Sequence, residues 1–294
     1  MLPGDTRGFV HVAAASEDRG RVVLHVRSGN PSPAAIAAAA RLARAFGAAI
    51  ESVFVEDQQL IDLAAHGFIR EVSRWSGERR VISTDGMAQD LASEARAAQR
   101  RIAALAERAE VPLRQRVMRD EPMRAIAVTC AECGPWNVIV LAEPFAARDG
   151  LVIADLLREV SATTGVVVVG PHASDPKGPV LVVLEDAERM PQLVRAAQRL
   201  AAEAEDEVAL LVFGSTAEDV AERESQVRLA LEDASHVVVQ TAVVVGDGHA
   251  AAAEIVRRYG ASIVLAQLGG LVLPLDDDLT RIAAALACPL FVVR

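Results

Sequence analysis

The residues best placed for chemistry lie near one end of the chain. Gly269-Gly270 follows the apolar run Ser262-Ile263-Val264-Leu265-Ala266 and precedes Asp276-Asp277-Asp278 and a short amphipathic helix. A glycine loop between a strand's carboxyl end and a helix can cradle phosphate, because backbone N–H groups approach it closely and the helix N-terminus favours negative charge. The three aspartates oppose that use, since carboxylates repel a polyphosphate unless a metal or distance intervenes. Their simpler role is to cap the helix and complement its dipole. Cys130-Ala131-Glu132-Cys133 has the spacing of a redox or metal pair. Such chemistry needs exposed, activated thiolates or two further ligands. Ile126, Cys130 and Cys133 share the face that a helix from Met123 to Cys133 buries, so both cysteines read as small core residues. Cys288, before Pro289 at a strand entrance, reads the same way. Gly246-Asp247-Gly248-His249 reads as a tight turn capped by Asp247; its alternative is an anion site with His249 as a titrating group. His25, inside an apolar strand, reads as a core histidine. No Ser-His-Asp order, HExxH or G-x-x-x-x-G-K-[ST] occurs. A phospho-receiver domain needs a lysine after its last strand, and Lys177 is the sole lysine of the chain.

The elements that position these groups are bounded by composition. A chain of 294 residues favours two domains, and 52% hydrophobic with 3% aromatic content implies cores of Ala, Val, Leu and Ile. No apolar run reaches the roughly 18 residues that span a bilayer. The start lacks a basic then apolar leader, and three cysteines make no disulfide framework, so a cytoplasmic, reducing setting is expected. Net charge is −10: residues 1–172 hold 20 Arg against 21 Asp and Glu, and residues 173–294 hold 10 Lys and Arg against 19 Asp and Glu. The acidic second half argues against nucleic acid, which demands a basic footprint.

Apolar strands alternate with amphipathic helices. Strands are expected at Arg21 to Val26, Ile50 to Val55, Leu113 to Met118, Asn137 to Leu141 and Val166 to Val169. Ser32 caps the first helix, Pro33 opens it and Gly47 ends it. A short helix at Leu60 to Ala64, an irregular arginine-rich piece and a long helix from about Met87 to Ala109 fill the stretch before the third strand. Phe9 to Val12 is a possible edge strand in an otherwise loose leader. After Gly170 to Pro179, a linker by its prolines and glycines, the pattern restarts. Strands follow at Val180 to Leu184, Val208 to Phe213, Val237 to Val245, Ser262 to Ala266 and the chain end, with helices between. Val22 and Val180, and Val53 and Leu211, are 158 apart; Leu113 and Val237, and Val166 and Leu290, are 124 apart. This is an internal repeat in which the first copy carries roughly 34 extra residues. The expected fold is α/β: two tandem five-stranded parallel-sheet, Rossmann-like domains with helices on both faces. Their expected bounds are 1–171, with an insertion at about 58–86, and 178–294, joined by 172–177.

Asn137-Val138-Ile139-Val140-Leu141-Ala142, Ser262-Ile263-Val264-Leu265-Ala266 and the closing Cys288-Pro289-Leu290-Phe291-Val292-Val293-Arg294 resemble the universal stress protein family, twice over nearly the whole chain. The resemblance implies pairing of the two domains through their last strands within one chain. It also implies, for members that bind ATP, an acidic residue ending the first strand and a loop G-x2-G-x9-G-(S/T) after the fourth. The first half departs from this pattern, with Arg27 at the acidic position, Pro144 and Phe145 in the loop, and Asp155-Leu156 in place of Gly-Ser. The second half keeps Glu185 and Asp186 at the acidic position, then Gly269 and, after nine intervening residues, Leu279-Thr280; Ala266 and Leu279 replace the other two glycines. Glu185, Asp186, Gly214, Gly269, Gly270 and Thr280 are therefore the candidate residues of a degenerate ATP site.

The lead expectation is a non-catalytic, universal stress-like regulatory or binding protein, without metal or required cofactor and without ATP in the first domain. Self-association, an unidentified protein partner and no membrane contact go with it. One alternative is an ATP-binding module with weak ATPase activity in the second domain. Another is a docking protein acting through residues 58–86, where Arg70, Glu71, Arg74, Glu78, Arg79 and Arg80 give net +2 around Trp75.

Overall fold

The computed structural model of the chain describes residues 20–294 apart from 27–31, 67, 73–75, 135, 143–152, 161–162, 175–176, 186–189, 215, 232–236, 244–248, 271 and 275–278. The first half runs β1 (Arg21–Val26), α1 (Pro33–Phe46), β2 (Ala49–Asp57), α2 (Gln58–Ala64), β3 (Arg70–Val72), β4 (Arg79–Val81), α3 (Thr84–Arg108), β5 (Leu113–Asp120), α4 (Pro122–Glu132), β6 (Asn137–Ala142), α5 (Ile153–Glu159) and β7 (Thr163–Val169). The second runs β8 (Val180–Leu184), α6 (Met190–Ala204), β9 (Val208–Gly214), α7 (Ala217–Ala230), β10 (Val237–Val243), α8 (His249–Arg258), β11 (Ile263–Gln267), α9 (Leu279–Ala285) and β12 (Leu290–Val293).

The element order repeats, as the sequence offsets require. The sheets do not stay separate. Among the described residues ten strands form one sheet, in the order β10-β9-β8-β11-β12-β7-β6-β1-β2-β5. Neighbours within each half run parallel; β12 and β7 run antiparallel, with Leu290 opposite Val168 and Val293 opposite Gly165. Gly165 is fixed by this close approach: a Cβ there would lie 2.6 Å from both Phe291 Cε2 and the Val292 carbonyl oxygen. β1, β8 and β9 are buried along their whole length, and β8 and β9 are apolar throughout, as strands covered on both faces are. The outer strand β5 is half-buried to exposed along its length and carries Arg114, Gln115, Arg116, Arg119 and Asp120.

α1 shows how local chemistry builds the fold. The Ser32 hydroxyl accepts from Ala35 N, Pro33 starts the helix, and Gly47 ends it with a left-handed φ of 60°. Its alanines let it sit close to the sheet and also against α6, so Ala35, Ile36, Ala38, Ala39, Ala40, Leu42 and Ala43 are all buried. Across that contact Arg41 donates to Asp206 Oδ2 at 2.8 Å and to the Leu200 carbonyl at 3.1 Å. Arg44 pairs with Glu203 beside it.

The segment between the halves is packed rather than loose. Ser174 N donates to the Ala287 carbonyl at 3.1 Å, and Ser262 N to the Pro179 carbonyl at 3.0 Å. The long helix that follows the insertion starts earlier than its apolar stripe suggests. Ser83 caps it by accepting from Gly86 N at 3.0 Å, with Asp85 in the first turn. The arginine-rich piece before it, expected to be irregular, is an antiparallel hairpin of β3 and β4. The possible strand at Phe9 to Val12 lies outside the described residues.

Candidate functional site

The second-half candidates are gathered by the sheet. β8 pairs with β11, so the carboxyl ends of these strands are neighbours, although 79 residues separate Leu184 from Ile263 in the chain. Glu185, the first residue after β8, therefore faces the loop that leaves β11. Its Oε1 accepts from Val272 N at 2.9 Å. Its carboxylate also lies over Gly270, where an added Cβ would stand 2.0 Å from Oε2 and 2.5 Å from Cδ. Gly270 is a glycine because a carboxylate occupies the space beside it.

The rest of the loop turns inward. Gly269 has a φ of 93°, a conformation that glycine reaches without strain, and its N–H donates to the Leu273 carbonyl at 2.7 Å. Val272 and Leu273 are 1% and 0% exposed and join the core layer that contains Ile282, Ala283 and Leu286. A phosphate cradle needs backbone N–H groups pointing at an open space. Here the N–H of Gly269 has an acceptor inside the loop, the Leu273 carbonyl, and that of Val272 has the Glu185 carboxylate. Among the described residues, Val272 and Leu273 are buried and Glu185 fills the space beside Gly270.

The remaining candidates are placed as follows. Gly214 ends β9 on the far side of β8, tucked under the first turn of α7; a Cβ there would meet Val220 Cγ2 at 2.8 Å. Beside it, Arg223 donates to the Phe213 carbonyl at 2.6 Å. Gly214 thus serves helix packing. Thr280 is the second residue of α9. Asp186, Asp276-Asp277-Asp278 and the turn Gly246-Asp247-Gly248 lie outside the described residues. So do Arg27 and the first-half loop from Glu143 to Gly150.

The C-x-x-C pair is buried, as its spacing on α4 suggests: Cys130 and Cys133 are 0% and 1% exposed. Burial pushes the Cys130 thiol up to about 12 and raises that of Cys133 as well. Cys288 is buried and pushed up to about 12 for the same reason. A thiol held protonated is a poor nucleophile and a poor metal ligand. Among the described residues, no group of three or more His, Cys, Asp or Glu is placed to hold a metal. No helix of the described residues is long and apolar enough to cross a membrane.

One polar cluster escaped the sequence reading. Glu51, the third residue of β2 and 1% exposed, accepts from Arg21 at 2.7 Å and from Arg116 at 2.5 Å. Arg116 also pairs with Glu132 on α4, which raises its own pKa. Two cations around one buried carboxylate offset its desolvation. The only signal was a lone acid inside an apolar strand, with arginines at alternate positions on β5.

A cavity of about 490 Å³ lies away from the loop, where α1 and the end of α3 meet the second half. Arg41, Arg44, Glu203 and Asp206 line it, and these four are already engaged with one another as two ion pairs.

No protein-family model matches the sequence, and no curated protein does. Solved structures do match. A universal stress protein from Archaeoglobus fulgidus DSM 4304 superposes with a TM-score of 0.61 at 12% identity, covering 95% of this chain and 98% of its own. A candidate universal stress protein from Pseudomonas aeruginosa UCBPP-PA14 gives 0.57 at 13%, covering 94% of each chain. The cytoplasmic domain of a prokaryotic cation chloride cotransporter gives 0.55 at 12%, covering 93% of this chain and 95% of its own. The chain is thus similar over nearly its full length to proteins with the universal stress fold.

Proposed function

We propose that this is a non-catalytic binding or regulatory protein of the universal stress type, its two domains being 1–171 and 178–294. The antiparallel seam of β7 and β12 is read as the internal counterpart of domain pairing between two chains. The observation that carries the non-catalytic reading is the Glu185 carboxylate on Val272 N. It places a negative charge and two buried apolar side chains where phosphates would have to enter. The high thiol pKa values of Cys130 and Cys288 support a core role for these cysteines over a redox one.

A second reading keeps ATP in the second half. It is favoured by Gly269 in a left-handed conformation and by Thr280 at the start of α9, two positions of the family loop that survive beside the acidic Glu185. Titration calorimetry with ATP separates the readings. The lead reading expects no heat of binding. Binding tighter than about 100 μM, equivalent to about 5.5 kcal/mol, that is lost in Gly269→Arg would replace it with the second.

A further inference from the structure

The insertion between β2 and α3 carries a hairpin with two different faces. Arg70 stands opposite Val81, Glu71 opposite Arg80, and Val72 opposite Arg79. Side chains alternate along a strand, so Glu71 and Arg80 share one face, and Arg70, Val72, Arg79 and Val81 share the other. The first face is tied to the protein: Arg80 pairs with Glu71 and reaches Asp90 of α3 at 3.4 Å. The second is open. Val72 is 54% and Val81 58% exposed, and among the described residues Arg70 and Arg79 have no ion pair. Phe68, just before β3, is 78% exposed. Two strands of three residues do not hold an isolated hairpin in water, and an apolar patch rimmed by cations is the pattern of an interaction surface.

Its complement stands at the opposite end of the sheet. Glu218, Glu222, Ser225 and Leu229 recur at spacings of 4, 3 and 4 on α7, which places them on one face. All four are exposed, and Leu229 is 69% exposed. β10 beside it adds Val238, 46% exposed. Two carboxylates and an apolar end thus match two arginines and two valines. The hairpin hangs from the β2–β5 end and α7 covers β9 and β10, so about 40 Å of sheet keeps them apart within one molecule.

We propose that the hairpin docks on α7 of a second copy of this chain, which returns the same contact across a two-fold axis. A two-fold axis makes the contact twice and so doubles the buried area towards the roughly 800 Å² per partner of a stable interface. This goes beyond the proposed function and holds whether or not nucleotide binds.

Sedimentation velocity on the full chain at micromolar concentration tests it. A dimer is expected. Arg70→Glu with Arg79→Glu, and separately Glu218→Arg with Glu222→Arg, should each give a monomer with unchanged circular dichroism, because all four side chains are exposed. Joining the two pairs of changes in one chain should restore the dimer. Val72→Ser with Val81→Ser, which leaves the charges alone, should also weaken it. A wild-type monomer, a dimer indifferent to both charge reversals, a four-fold variant that stays monomeric, or an open ladder of larger species would each overturn the proposal.

Discussion

Removing the Glu185 carboxylate leaves the buried Val272 N–H without the acceptor that stood 2.9 Å away. Glu185→Ala should cost about 1–3 kcal/mol in urea unfolding. Gly270→Ala should cost a similar amount, about 1–3 kcal/mol, by driving a methyl into the same carboxylate. In the double variant the collision disappears, so its cost should fall below the sum of the two. Strict additivity would mean that Glu185 does not hold the loop. The cysteines make a different prediction. An ordinary thiol titrates near 9, and Cys130 and Cys288 are pushed up to about 12 in the folded protein. Below pH 9 folded and unfolded chains are both protonated there, and stability is unaffected. Above it the unfolded chain releases its protons first, so stability should fall as pH rises from about 9 towards 12. Cys133, also raised by burial, adds to the same slope, and one lysine and one tyrosine leave few other groups to titrate in that window. Replacing all three cysteines with alanine should flatten the slope, measured by urea unfolding across that range. An unchanged slope would contradict the burial argument.

At the scale of elements, the seam of β7 and β12 depends on one residue without a side chain. Gly165→Ala puts a methyl 2.6 Å from Phe291 Cε2 and the Val292 carbonyl. A destabilisation of about 1–3 kcal/mol is expected in urea unfolding, and a neutral result would mean that the seam yields easily. Elements whose signals are local were legible in the sequence. α1 has its cap, its proline and its terminal glycine within 16 residues. The hairpin of β3 and β4 was not legible, because three-residue strands of arginine, glutamate and valine leave no period to detect. The start of α3 was misplaced for a related reason: its first turn is held by Ser83 and carries no apolar stripe.

At the scale of the molecule, the repeat was readable because most strands carry an apolar run and the offsets between copies hold. The pairing of β7 with β12 that joins ten strands into one sheet leaves no periodicity of its own; only the family resemblance implied pairing through the last strands. The candidate site fell between these cases. Gly269, Gly270 and Glu185 could each be singled out by pattern. That Glu185 lies on Gly270 requires the pairing of β8 with β11, a contact between strands far apart in the chain. Val272 and Leu273 gave no signal that distinguishes a buried plug from the rim of a ligand pocket. The central proposal is that this loop takes no nucleotide, and the nucleotide content of protein purified from cells tests it most directly. Acid extraction followed by chromatography and mass spectrometry should recover no stoichiometric adenine nucleotide. Recovery of about one ATP or ADP per chain, lost in Gly269→Arg, would contradict it.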